Sequence, residues 1–295
     1  MRFLTALKTD KGIKRAENQD SLLLMKAETQ AGSCVFAAVC DGMGGLKYGE
    51  AASSGLILAL SDWFTSELPV LLQGGPDSAG IFISWKKCIG RENSRILEFA
   101  RQLGCQCGTT VSGVLAIGDR YFVLNIGDSR VYLIENGRLR QITHDHTVVQ
   151  RDIDDGRLTE RQAARDRRRN ILTRCVGVMD TADCDFFSGE LHPGQTFLVC
   201  SDGFRHVIDE NEMTEWFSAD KLDSESDMEA RLDLATKEIM NRCETDNISA
   251  ALVKTAVSAA DDKTEELPKL SPAEAYSVFA VTEKTVLTSQ RAIDN

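Results

Sequence analysis

A chain of 295 residues, 42% hydrophobic and 27% charged, can bury a large core and has the composition of an ordinary globular protein. Its net charge of −11, from 45 Asp+Glu against 34 Lys+Arg, excludes general nucleic-acid binding, which needs a basic face. No apolar run approaches the roughly 18 residues of a membrane-spanning helix, and residues 1–12 lack a signal-peptide core, so a cytoplasmic protein with no membrane partner is expected.

In chain order, residues 3–8, 21–26 and 34–40 read as strands, the last a continuous apolar run ending in Asp41. Residues 50–60 and 84–103 carry helical spacing, with Gly74, Gly75 and Pro76 breaking the chain between them. A strand-dense stretch follows at 110–117, 120–126, 130–135 and 138–142. Gly118-Asp119, Gly127-Asp-Ser129 and Asn136-Gly137 separate these strands as hairpin-type turns. Strands so closely spaced imply antiparallel sheet rather than βαβ units. Residues 143–170 are polar and helical, with a basic knot at Arg165, Arg167, Arg168 and Arg169 that by itself reads as a solvated face. Strands at 183–189 and 196–200, helices at 209–217 and 229–242, and a strand at 248–254 complete the pattern. Residues 256–295 are small, polar and acidic at first, then carry Pro268 and Pro272, and read as a poorly ordered C-terminal extension.

The chemistry lies in short motifs. Asp41 and Asp202 follow apolar strands, and Asp246 precedes one, so a rigid sheet could aim three carboxylates at one point. Singly, each is more often a turn residue. Together they would be prohibitive to bury without cations, and hard oxygen donors suit Mg²⁺ or Mn²⁺. Gly42 lets the backbone come close enough for its carbonyl to ligate. Arg15 is a guanidinium fork of the kind that grips phosphate oxygens. The nine cysteines include an isolated Cys105-x-Cys107 with no second pair in register; reduced thiols fit better than zinc.

The motifs occur in a fixed order: Arg15, Asn18 and Asp20; Asp41-Gly-Met-Gly-Gly45 with Gly49-Glu-Ala-Ala52; Gly108-Thr-Thr110; Gly127-Asp-Ser-Arg130; Asp145-His146; Leu172-Thr-Arg174 with Gly177; Ser201-Asp-Gly203; and Asp246-Asn247. This set resembles the metal-dependent type 2C serine/threonine phosphatases, the bacterial branch in particular, over residues 1–255. The resemblance implies an α+β fold, a sandwich of two antiparallel β-sheets flanked by helices on both outer faces. It implies hydrolysis of phosphoserine and phosphothreonine by attack of a metal-activated water, with no phospho-enzyme. Two Mn²⁺ or Mg²⁺ ions are implied, with Asp41 bridging, Asp202 and Asp246 on the first, the Gly42 carbonyl on the second, and Asp20 in support. A third, weaker ion is implied at Asp128 with Asp202 shared. Arg15 would hold the substrate phosphate, and residues 143–170 would form a flap beside the site. Partners would be phosphoprotein substrates and a cognate serine/threonine kinase.

The chain departs from the family at Gln19, where animal members have glutamate, and at Met43, where they have a histidine that is a candidate general acid. Leaving-group protonation is therefore unassigned; His144 and His146 read as structural. Phe204-Arg-His206 stands where a leucine usually follows Ser-Asp-Gly. A catalytically silent binding module would be expected to lose metal aspartates, which this chain keeps. A small-molecule phosphatase on the same fold is the other alternative.

Overall fold

In a computed structural model, residues 1–43 and 48–256 are described in full, and 276–282 and 285–289 by their backbone. Gly44 and Gly45 of the Asp41 motif, and the rest of the expected C-terminal extension, lie outside the described residues.

The strands are β1 (Arg2–Asp10), β2 (Asp20–Thr29), β3 (Gly32–Asp41), β4 (Val111–Ile117), β5 (Arg120–Ile126) and β6 (Arg130–Glu135). They continue with β7 (Arg138–Gln141), β8 (Asp185–Glu190), β9 (Thr196–Cys200), β10 (Ile248–Ala256), β11 (Tyr276–Thr282) and β12 (Thr285–Ser289). One antiparallel sheet runs β1-β10-β9-β6-β7, and the other β12-β11-β2-β3-β4-β5-β8. Helices α1 (Gly49–Ser66), α2 (Leu68–Leu71) and α3 (Ser78–Leu103) cover the second sheet. Helices α6 (Asp202–Arg205), α7 (Glu210–Phe217) and α8 (Glu225–Asn241) cover the first. Two short helices, α4 (Val148–Asp154) and α5 (Glu160–Ala163), lie within residues 143–170.

The four layers follow from side-chain alternation. On β3, Cys34, Phe36, Ala38 and Cys40 face the helices while Val35, Ala37 and Val39 fill the space between the sheets. On β10, Ile248, Ala250 and Leu252 face helices while Ala251 and Val253 face inward. Covered on both faces, these strands read as unbroken apolar runs. Phe36 anchors the helix side, its ring centroid 5.9 Å from Trp63 and 5.7 Å from Trp85. Among the described residues no single helix is long and apolar enough to cross a membrane; the bent pair of α1 with 68–74 has the composition, but its Leu56, Leu60, Trp63, Phe64 and Leu68 are buried in this core.

Three differences from the sequence reading have physical causes. Helix α3 starts earlier than expected because Asp77 caps it, accepting from the Gly80 N–H, and α8 starts earlier because Ser224 does the same for Asp227. Gly127-Asp-Ser129 is no hairpin: β5 pairs with β4 and β8, β6 with β7 and β9, so this turn carries the chain from one sheet to the other. Asn136-Gly137, by contrast, is a hairpin turn with both residues at positive φ, 50° and 69°. Past Thr255 the sequence reading has no element, yet β11 pairs with the edge of β2, Ala280 opposite Leu23.

Candidate metal centre

Four strand ends meet at one end of the sandwich, on the seam between the sheets. Asp20 opens β2 directly opposite Asp41, which closes β3. Cys200 closes β9 and leads through Ser201 to Asp202, while Asp246 and Asn247 lead into β10 alongside it. Asp128 sits at the sheet-to-sheet crossover just before β6. The sequence-predicted carboxylates therefore lie near one another, and the charges of Asp20, Asp202, Asp128 and Asp246 all act on Asp41.

Hydrogen bonds hold the backbone of this cluster while leaving carboxylate oxygens open. Thr110 accepts from the Asp41 N–H at 3.0 Å, and the Asp41 carbonyl accepts from Thr109 Oγ1 at 3.0 Å and the Thr110 N–H at 2.9 Å. Asn18 accepts from the Asp20 N–H at 3.1 Å. Asn247 is the principal clamp: its amide donates to the carbonyls of Lys11 (3.0 Å) and Glu17 (3.1 Å), and its oxygen accepts from the Gln19 N–H (2.9 Å). That one buried side chain fixes the irregular segment carrying Arg15. Sequence reasoning gave Thr109, Thr110 and Asn247 no task; their place inside the motifs was the signal.

Glycines mark the tightest approaches. A Cβ on Gly42 would stand 2.5 Å from both the Gln19 and Gly49 carbonyl oxygens. One on Gly203 would stand 2.1 Å from the Asn247 carbonyl oxygen. Gly203→Ala is therefore expected to push away the Asp246–Asn247 turn, costing about 1–3 kcal/mol and weakening divalent-cation binding. Thermal melts and a cation titration of the purified variant check this; unchanged values in both would show that the turn yields freely.

Burial and crowding dominate the electrostatics. Asp41 as a residue is half-buried, yet its carboxyl is enclosed enough that burial pushes its pKa well above the usual range. The charges of Asp20, Asp202, Asp128 and Asp246 add to this. Burial, then Asp202, pushes Asp20 up to about 7. The Ser249 and Ser201 hydroxyls lie nearby, but the first pairs with Thr9 and the second reaches the Ser249 carbonyl. Burial and Asp202 also push Asp128 up to about 7, against the opposing charge of Arg205.

Both Asp20 carboxylate oxygens and Asp202 Oδ1 are buried without a hydrogen-bond partner among the described residues. As the side chains stand, no three His, Cys, Asp or Glu groups among the described residues are close enough to hold an ion. The donor chemistry nonetheless fits hard divalent cations: oxygen only, several carboxylates, and buried oxygens without hydrogen-bond partners. Arg15 reaches the same place, Nη2 lying 2.7 Å from Asp246 Oδ2.

Residues 143–170, the expected flap, are pinned at their start beside Asp128. Buried His146 accepts from the Gly127 N–H at Nδ1 (3.1 Å), and its Nε2 lies 2.9 Å from Asp185, which also pairs with Arg174 at 2.7 Å. Burial holds this imidazole below its ordinary pKa, and its bonds are all to framework groups, as a structural histidine's would be. Exposed His144 pairs with Asp154 on α4 at 2.8 Å. Of the basic knot, Arg168 is spent on Asp152 and Asp166, and Arg169 faces a cleft of about 650 Å³ that runs from the flap to Asp128 and Asp246.

Comparison with known proteins identifies the arrangement. The protein phosphatase 2C family model matches residues 12–256. The serine/threonine phosphatase stp of Listeria welshimeri is 29% identical over 250 residues, covering 84% of this chain and 94% of that one. The S. agalactiae serine/threonine phosphatase superposes with a TM-score of 0.75 at 26% identity, covering 86% of this chain and 100% of that one. The catalytic domain of the phosphatase PstP, solved in complex with two manganese ions, gives a TM-score of 0.70 at 26% identity over 86% of this chain and 99% of that one.

Proposed function

The chain belongs to the protein phosphatase 2C family of metal-dependent serine/threonine protein phosphatases, and from that premise we propose that its strand-end aspartates form the catalytic metal centre. Asp41, Asp202, Asp246 and the Gly42 carbonyl would hold two divalent cations, with Asp20 backing them. Their convergence at one seam, with orphaned carboxylate oxygens, is the observation that carries the reading. When bound, such ions supply an activated water and neutralise charge on a phosphoryl group.

The remaining steps belong to the chain. Thr109 and Thr110 keep Asp41 in place through its backbone, leaving its carboxylate free to serve. Asn247 holds the segment of Arg15, whose half-exposed guanidinium lies against Asp246 and would bind the substrate's phosphoryl oxygens there. The flap, locked by His146 and Asp185, forms one wall of the cleft and orients the peptide beside the phosphorylated side chain. The catalytic unit spans residues 1–255, with the flap at 143–170. Phosphoproteins are the substrates, and a cognate serine/threonine kinase would produce them. Nine free cysteines suit a reducing cytoplasm.

Hydrolysis of a phosphothreonine peptide with Mn²⁺, then with excess EDTA, tests the reading. Full activity in EDTA would overturn it. Arg15→Ala is expected to lower kcat/KM about ten- to a hundredfold, the scale of about 1.5–3 kcal/mol for a charge-assisted hydrogen bond, with cation affinity little changed. Unaltered kinetics would make Arg15 only a counter-charge for Asp246.

A further inference from the structure

The place where family likeness would put a third ion, between Asp128 and Asp202, is furnished differently in this chain. Helix α6 begins at Asp202, so three residues on, one turn later, Arg205 projects from the same face. Its side chain is 13% exposed, and its Nη2 donates to the Asp128 carbonyl at 3.0 Å. The same nitrogen lies 3.9 Å from Asp128 Oδ2 and 3.5 Å from Asp145 Oδ2. Asp145 is itself taken up by Arg130, which forks onto both oxygens at 2.8 and 2.7 Å. The other expected ligand, Asp202, has the His206 imidazole 3.5 Å from its Oδ2.

A small divalent cation needs several oxygens within about 2.0–2.6 Å and tolerates no cation among them. Here the Arg205 guanidinium already stands against Asp128, the one expected ligand that the third position does not share with the two-ion centre. A guanidinium stays charged at any working pH, so this positive charge cannot be washed out or chelated. Residues present beside Asp128 therefore do not fit a third ion, although those around Asp41 fit two.

Resting on the two-ion reading above, we propose that Arg205 takes the place of a third metal ion beside Asp128, so that the third cation of this phosphatase is part of the chain. Arg205 acts as a positioning residue. It ties three parts of the site together: the β5–β6 crossover at Asp128, the start of the flap at Asp145, and α6, which carries Asp202. Flap placement is then independent of metal concentration.

Equilibrium dialysis against Mn²⁺ across the millimolar range, with bound ions counted by elemental analysis, tests this. Wild-type protein is expected to saturate at two ions per chain. Arg205→Ser, which removes the charge and opens space beside Asp128, is expected to gain a third and weaker ion. Adding Asp128→Asn should remove that ion again, and Arg205→Lys, which keeps the charge, should stay at two. Three ions on the wild type, or a folded Arg205→Ser that stays at two, would overturn the inference while leaving the two-ion centre standing. Fewer than two on the wild type would overturn the metal centre itself and this inference with it. Should circular dichroism show that Arg205→Ser does not fold, the wild-type count still decides.

Discussion

Asp41→Asn is expected to lower phosphatase turnover roughly a hundred- to a thousandfold or more, and at the same time to raise the melting temperature of the ion-free protein. Asparagine keeps the shape of the side chain and removes the one charge that Asp20, Asp202, Asp128 and Asp246 all oppose. Thr109 and Thr110 bond to the Asp41 backbone, so their contacts survive the change. A residue that serves chemistry at the expense of stability gives this opposite pair of effects. Turnover of a phosphothreonine peptide in saturating Mn²⁺ and thermal unfolding in EDTA measure the two. A lower melting temperature alongside lost activity would make Asp41 a structural residue, and retained activity would remove it from the centre.

A second large effect is expected in the pH dependence of the chelated protein. Asp20 and Asp128 are pushed up to about 7 by burial, from an unfolded value near 4. A carboxyl whose folded pKa is raised binds more protons folded than unfolded, so stability falls as pH rises between those two values. The penalty is absent below about pH 4, grows through the interval, and is complete above about pH 7, at most about 4 kcal/mol for each group. Mn²⁺ should offset part of it, adding about 2.7 kcal/mol per ion at a hundredfold excess over Kd. Melting temperatures from pH 4 to 8, with EDTA and with Mn²⁺, should therefore diverge as pH rises. Parallel curves would mean that the carboxylates do not share one enclosed space.

Much of this was legible in the sequence for identifiable reasons. The unbroken run from Cys34 to Cys40 reads as a strand covered on both sides, and it carries Asp41 to its end. The order of the acidic motifs named the family before any contact was known. What was hidden depended on distant partners. Whether Gly127-Asp-Ser129 closes a hairpin or changes sheets is decided by β9, some seventy positions away, and no local pattern reports it. The Arg15–Asp246 pair and the reach of Arg205 to Asp128 likewise join remote segments. The strand at 276–282, YSVFAVT, did carry a readable β-branched and aromatic signal, overshadowed by the polar, proline-containing stretch before it.

The pairing of the first strand with the last described strand of the first sheet, Arg2 opposite Ala256, has a consequence for synthesis. A ribosome delivers β1 at the outset and its neighbour β10 only near the end of the domain. Asn247, which clamps residues 11–19, is delivered equally late. Until then the segment carrying Arg15 has no fixed address, and β1 waits with its hydrogen-bonding edge open, a state that invites chaperone attention. Such long-range closure also predicts slow maturation, since distant ends must meet before their contacts reward them. On the function proposed above, hydrolytic competence would arrive all at once, when Asp246, Asn247 and β10 have been made and β10 has paired with β1.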